Sequence, residues 1–202
     1  MKRFLSVLVS LLLVCGCAMA EDAVTSATLK IDKLPAVEAQ DNGILVVYFS
    51  PDDTVRAAAY TVAAALSAEL FEIVPEEPYT ADDLNYFNSK ARSMTEMADK
   101  NARPEIVSLP ENLDRYDTVL LGYPIWGGQA PRIISTFLES VDLSGKTVIP
   151  FCTSNSSGIG SSAKNLHPLT GDSVTWTDGV RIPKGSTEEE IRNLAEKLIP
   201  EE

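Results

Sequence analysis

From Tyr116 to Arg132 the chain reads Y-D-T-V-L-L-G-Y-P-I-W-G-G-Q-A-P-R. Val119-Leu120-Leu121 is a short apolar run of the kind found in strands buried on both faces. It breaks at Gly122 and Pro124, after which Ile125 and Trp126 lead into the pair Gly127-Gly128. Pro131 restarts regular structure, and Ile133, Ile134, Phe137, Leu138 and Val141 recur at helical spacing. The order is strand, glycine-rich loop with an aromatic at its tip, then helix. In an open α/β sheet, ligands bind in the crevice outside the carboxyl ends of the strands. A loop there with a large flat ring and two residues lacking side chains suits a flat aromatic ligand. The alternative is a Trp that packs over its own loop.

The rest of the chain repeats the alternation. Ile44-Leu45-Val46-Val47-Tyr48-Phe49 carries no charge and reads as a buried parallel strand. Ser50 to Thr54 ends it, and Val55, Ala58, Ala59, Val62, Ala63, Leu66 and Leu70 mark a helix. A shorter strand follows at Leu70–Val74. A longer helix is expected from Asp82, with Leu84, Phe87, Ala91, Met94 and Ala98 on one face. Met94 and Met97 read as core residues rather than ligand contacts. Thr147–Thr153 is the fourth strand, followed by a loop rich in hydroxyls and glycine and a short helix to about Leu166. Ser173–Thr177 alternates as a fifth strand. Ser186 with Glu189 forms a capping box for a last helix striped by Ile191, Leu194, Ala195 and Leu198. Five strands alternating with helices predict a doubly wound parallel α/β sandwich.

The N-terminus reads as an export signal. Met1-Lys2-Arg3 is a charged start, and Phe4 to Val14 is apolar but too short to span a bilayer. Val14-Cys15-Gly16-Cys17 resembles the bacterial lipobox, which would make Cys17 the lipidated first residue of the mature chain. Ala18-Met19-Ala20 offers a rival cut before Glu21. Either way the chain is expected in the cell envelope, held to the membrane only by a lipid anchor if Cys17 is modified. Residues 21–42 read as a polar tether in which Thr28–Ile31 could add an edge strand, and residues 43–200 as the domain.

Charge excludes some classes. The chain of 202 residues carries a formal charge of -12, and losing Lys2 and Arg3 leaves 15 basic against 29 acidic residues. Such a surface repels nucleic acid and suits a basic protein partner. Without Cys15 and Cys17, Cys152 stands alone, so neither a disulfide framework nor a cysteine metal site can form. Cys152 reads as a small core hydrophobe. His167, the single histidine, has no G-x-S-x-G elbow to serve, which argues against a serine hydrolase.

Three loops follow strands one, three and four: Ser50–Val55, Pro124–Ala130 and Thr153–Gly160. All lie at carboxyl ends and can converge on one ligand. The runs I-L-V-V-Y-F-S, L-G-Y-P-I-W-G-G-Q-A-P, F-L-E-S-V-D-L-S-G-K-T-V and P-F-C-T-S-N-S-S-G-I-G-S-S together resemble the flavodoxin-like family from Gly43 to Leu198. The resemblance implies a three-layer sandwich with strand order 2-1-3-4-5 and FMN at the switch point. It implies that Ser50, Asp52, Asp53, Thr54 and Val55 hold the phosphate. Pro124, Ile125, Trp126, Gly127 and Gly128 would line one face of the flavin ring, with Trp126 stacked on it. Thr153, Ser154, Asn155, Gly158 and Gly160 would contact the other edge. No catalytic residue and no metal is implied, and the activity would be electron transfer or simple flavin-dependent reduction.

One loop departs from the family pattern. The expected phosphate loop is hydroxyl-x-hydroxyl-Gly-x-Thr at a helix N-terminus, and here it is Ser50-Pro51-Asp52-Asp53-Thr54-Val55. A carboxylate about 4 Å from a phosphate charge costs roughly 4 kcal/mol at an effective dielectric near 20, about a thousandfold in affinity. Either an aspartate takes the place of the phosphate, leaving a degenerate binding module, or the acids turn outward and cap the helix.

Overall fold

The computed structural model describes residues 34–199. The expected export signal, Cys17 and the candidate edge strand at Thr28–Ile31 lie outside these residues. Of the tether, residues 34–42 are described, and its end is docked. The Asn42 side-chain amide donates to the Leu66 carbonyl at 2.8 Å, and the Gln40 amide donates to the Ser67 carbonyl at 2.8 Å.

The elements are β1 (Ile44–Tyr48), α1 (Thr54–Leu66), β2 (Glu69–Glu72), α2 (Arg92–Ala98), β3 (Thr118–Pro124), α3 (Arg132–Ser140), β4 (Thr147–Ser154), β5 (Thr175–Trp176), β6 (Val180–Pro183) and α4 (Glu188–Glu196). The sheet runs β2-β1-β3-β4-β5, with β6 also on β4, and every pairing is parallel. Alternate residues of the central strands feed two cores, one on each face. Leu45, Val47, Phe49, Val119 and Leu121 pack against Ile133, Ile134, Phe137 and Leu138 of α3. Val46, Tyr48, Leu120, Ile149 and Phe151 pack beneath α1 and α4. This is the three-layer flavodoxin-like sandwich with order 2-1-3-4-5, and two covered faces explain why the central strands carry uninterrupted apolar runs.

Five local expectations are corrected. β3 does not break at Gly122; it continues to Pro124, with Gly122 opposite Phe151. A Cβ at Gly122 would sit 2.3 Å from Phe151 Cζ, so the glycine is there for the ring that crosses it. The helix expected from Asp82 begins only at Arg92. Asn85 Oδ1 accepts the Phe87 amide at 3.1 Å and Asn88 Oδ1 accepts the Lys90 amide at 3.0 Å. These local turns compete with helical hydrogen bonding, and they leave Phe87 84% exposed. The fifth strand is split: β5 pairs with Thr147 and Val148, β6 with Phe151 to Ser154. The gap falls beside Pro150, which lacks a ladder N–H, and Gly179 lies against that proline. The capping box is Thr187 with Glu190, one residue later than expected. Ser186 is used outside the helix, its amide donating to the Pro183 carbonyl at 3.1 Å. The short helix before Leu166 is a series of turns ending in a 3-10 turn at His167–Leu169, where His167 stacks on Trp176 at 4.7 Å.

Candidate functional site

The carboxyl ends of β1, β3 and β4 open into a cleft of about 540 Å³, within the range of small-molecule and cofactor sites. Asp52 and Thr54 come from the first loop, Pro124, Ile125, Trp126 and Gly127 from the second, and Thr153, Ser154 and Asn155 from the third. Nine of the fifteen cofactor residues named from the sequence therefore meet at one cavity.

The loop after β3 is a tight hairpin. The Trp126 amide donates to the Gln129 carbonyl at 2.9 Å, and the Gln129 amide donates back at 3.0 Å. Gly127 and Gly128 have φ of 54° and 79°, the paired left-handed geometry of a type I′ turn. A Cβ on either would meet nothing within 4 Å, so these glycines serve the turn rather than a crowded backbone. The turn fixes Trp126, whose ring meets Phe49 edge-on at 5.8 Å and Tyr79 at 5.4 Å. Tyr79 is itself held. Its hydroxyl donates to Glu96 at 2.5 Å, and the Arg92 guanidinium lies 4.2 Å from its ring centroid. Burial, then the Glu96 carboxylate, pushes the Tyr79 phenol well above its ordinary pKa, so it stays protonated.

The loop after β1 separates its two acids. Asp53 adopts φ 61°, a left-handed conformation tolerated by Asp, at the position where the family pattern has glycine. Its carboxylate pairs with Arg56. Arg56 also pairs with Glu72, which accepts the Tyr48 hydroxyl at 3.0 Å. Asp53 is thus drawn away from the cleft. Asp52 stays at its wall, exposed, with Oδ1 accepting the Thr54 amide at 3.3 Å. Ser50 is buried and does not line the cleft; its hydroxyl oxygen accepts the Arg56 amide at 2.9 Å. Two amide donors of the α1 N-terminus are therefore already satisfied by side chains. Val55 is fully buried among the residues beneath α1.

At the end of β4, Ser154 donates to the Ser157 carbonyl of the loop that follows. Arg181 of β6 donates to the carbonyls of Asn155 at 2.7 Å and Ser154 at 3.3 Å. Gly158 and Gly160 lie beyond the part that lines the cleft, as does Gly128 in its turn. Cys152 is fully buried on the core side, and burial pushes its thiol up to about 11, which suits packing rather than nucleophilic chemistry.

Sequence reasoning missed one wall of the cleft. Leu84, Tyr86, Met94 and Met97 line it, contrary to the core role expected of the methionines. Arg132, first residue of α3, donates to the Glu96 and Met97 carbonyls at 3.4 and 3.0 Å and seats the end of α2 there. Lys184, just after β6, also lines the cleft. No signal in the sequence marked β6, so its lysine had no address.

A doubly wound sheet whose first, third and fourth loops converge on one cleft defines the flavodoxin class of α/β proteins. The chain belongs to the flavodoxin family, whose model matches residues 43–198. It is similar to the structure of a flavoprotein candidate from Bacteroides eggerthii at 44% identity and TM-score 0.70, covering 77% of this chain and 96% of that one. A second flavoprotein candidate, from Bacteroides uniformis, is 41% identical at TM-score 0.71, covering 76% and 97%. The flavoprotein of Lactobacillus acidophilus, solved in complex with FMN, shares the fold at 22% identity and TM-score 0.53, covering 73% and 96%. No curated protein matches the chain.

Proposed function

We propose that this chain is an exported flavoprotein that binds FMN in the cleft and passes electrons between envelope partners. The observation that carries the reading is the cleft itself: about 540 Å³ at the ends of β1, β3 and β4, with Trp126 at its side. The wall of Ile125, Trp126, Met94 and Met97 is apolar and suits a ring system. The opposite wall of Thr153 to Ser157 offers hydroxyls and backbone groups to the ring's polar edge. Bound there, the flavin would supply reversible two-electron chemistry. The chain's own residues would hold the ring and exclude water from its apolar side. The acidic surface suits a basic redox partner. Nicotinamide cofactors are scarce outside the cytoplasm, so an envelope protein would supply the electrons, and lipidation at Cys17 would keep the domain near it.

The ring end of FMN fits these residues better than the phosphate end, where Asp52 already takes the Thr54 amide. That contact favours a second reading: a flavodoxin scaffold that no longer takes FMN. Absorbance of the protein purified from its host, followed by FMN titration of the flavin-free chain, tests both. A yellow protein that rebinds FMN supports the first reading; a colourless one that binds no flavin removes it.

A further inference from the structure

We infer that Lys184 favours the reduced, anionic state of a flavin in this cleft over the oxidised, neutral state. The inference rests on the flavin reading above. Among the described residues that line the cleft, Lys184 is the single cation and Asp52 the single acid. They come from different parts of the fold, Asp52 from the loop after β1 and Lys184 from the turn after β6. The lysine is tied to the polar wall. Pro183 is in register with Ser154, and the Lys184 amide donates to the Ser154 carbonyl at 3.3 Å. A second positive charge stands behind the same wall. The Arg181 guanidinium grips the carbonyls of Ser154 and Asn155, and its Nε is buried with no hydrogen-bond partner among the described residues. Two cations of one short strand and its following turn therefore converge on the wall that suits the ring's polar edge.

The consequence is Coulombic. Uptake of two electrons and one proton leaves one negative charge along the pyrimidine side of the ring, and fixed charge near that side tunes the couple. A cation there attracts the reduced ring and leaves the affinity of the neutral oxidised ring nearly unchanged. Lys184 is exposed, so water screens the effect, and its size is that of one charge pair near 4 Å in a water-like medium.

The test uses the full chain and its Lys184→Gln and Lys184→Arg variants, with riboflavin as the probe because it carries no phosphate. Oxidised riboflavin is titrated by fluorescence quenching. The potential of the bound flavin is then followed with dithionite as the two-electron donor, and the reduced affinity follows from the cycle. K184Q is expected to weaken the reduced form roughly fivefold, to change the oxidised form less than twofold, and to be rescued by K184R. An unchanged ratio in K184Q overturns the inference alone. A loss confined to FMN, with riboflavin unaffected in both states, makes Lys184 a phosphate contact and also overturns it. Failure of the unsubstituted chain to bind either flavin overturns the flavin reading and this inference with it.

Discussion

Tyr79 and Trp126 meet edge to face, their ring centroids 5.4 Å apart at 72°. The indole that borders the cleft is thus propped from behind by a residue of the β2–α2 connection. Glu96 and Arg92 hold the prop in turn. Tyr79→Phe keeps the ring and loses one hydrogen bond, so it is expected to cost about 1 kcal/mol in urea unfolding. Tyr79→Ala removes the prop and is expected to cost about 3 kcal/mol. It should also weaken riboflavin binding severalfold, since Trp126 then has a choice of positions. Equal binding by the two variants would show that Trp126 is fixed by its turn alone.

Gly122 and Phe151 sit opposite each other in the two central strands. Gly122→Ala puts a methyl 2.3 Å from the ring's Cζ, where the neighbours are core on every side. Overpacking of this kind costs about 3 kcal/mol or more. Phe151→Leu on the wild-type background opens a cavity, and in G122A it relieves the clash. A double-mutant cycle by chemical denaturation is expected to give a favourable coupling above about 1 kcal/mol. Additive losses would mean that the ring simply moves aside.

The strands of this domain were legible because burial on both faces writes itself as unbroken apolar runs, as at Ile44–Phe49 and Val119–Leu121. What lies between them was less so. Asp82 to Ala91 has helical spacing, yet Asn85 and Asn88 spend their side chains on neighbouring amides. That choice is decided by the chain's docking, not by periodicity. The role of Met94 and Met97 in the cleft depends on Arg132 seating the end of α2, a contact across 35 residues. Trp126 was legible as a residue of the cleft because its turn is local: W-G-G-Q contains all that the geometry needs. Lys184 was not, because β6 restarts after a break beside Pro150, and no local pattern records which strand it will join. The two aspartates were visible, but their separate fates rest on Arg56 reaching Asp53.

The turn at Gly127-Gly128 gives a cleaner test of backbone preference. Neither position is crowded, so a substitution there reports the left-handed conformation alone. Gly128→Ala is expected to cost about 1 kcal/mol. Gly127→Asn should cost only a few tenths, because Asn tolerates φ above zero and Asn-Gly is a preferred type I′ pair. Thermal unfolding of the two variants checks the order, and a reversed order would rule out the I′ assignment.

The buried Cys152 thiol predicts an alkaline limit to stability. Its pKa is pushed from the ordinary 9.0 to about 11 by burial. Below pH 9 both folded and unfolded chains keep the proton, and its contribution is fully present. Between pH 9 and 11 the unfolded chain releases it while the folded chain does not, so rising pH favours unfolding. The loss is complete above pH 11 and amounts to roughly 2–3 kcal/mol. Tyr48, Tyr79 and Tyr123, also raised by burial, act in the same direction at higher pH. Urea midpoints at pH 8 and pH 10.5 should fall less in Cys152→Ala than in the unsubstituted chain. An identical fall would assign the alkaline limit to the tyrosines.

Asp52 decides how the cleft treats a phosphate. Its carboxylate holds the Thr54 amide at the start of α1, where helix dipole and free N–H groups would otherwise favour an anion. Asp52 is exposed, so its surroundings are closer to water than the dielectric near 20 that gives a thousandfold, and the penalty falls to about 1 kcal/mol per charge pair. Asn at this position keeps an oxygen for the Thr54 amide and removes the charge. Asp52→Asn is therefore expected to tighten FMN about tenfold while leaving riboflavin within twofold. Adding salt should narrow the difference between the two flavins in the unsubstituted chain more than in D52N. Asp53→Asn, in contrast, should leave the FMN-to-riboflavin ratio unchanged, because Arg56 already neutralises that carboxylate. Isothermal titration with both flavins at two salt concentrations checks all three expectations. Tightening in D53N but not in D52N would mean that the two acids exchange places when the ligand arrives.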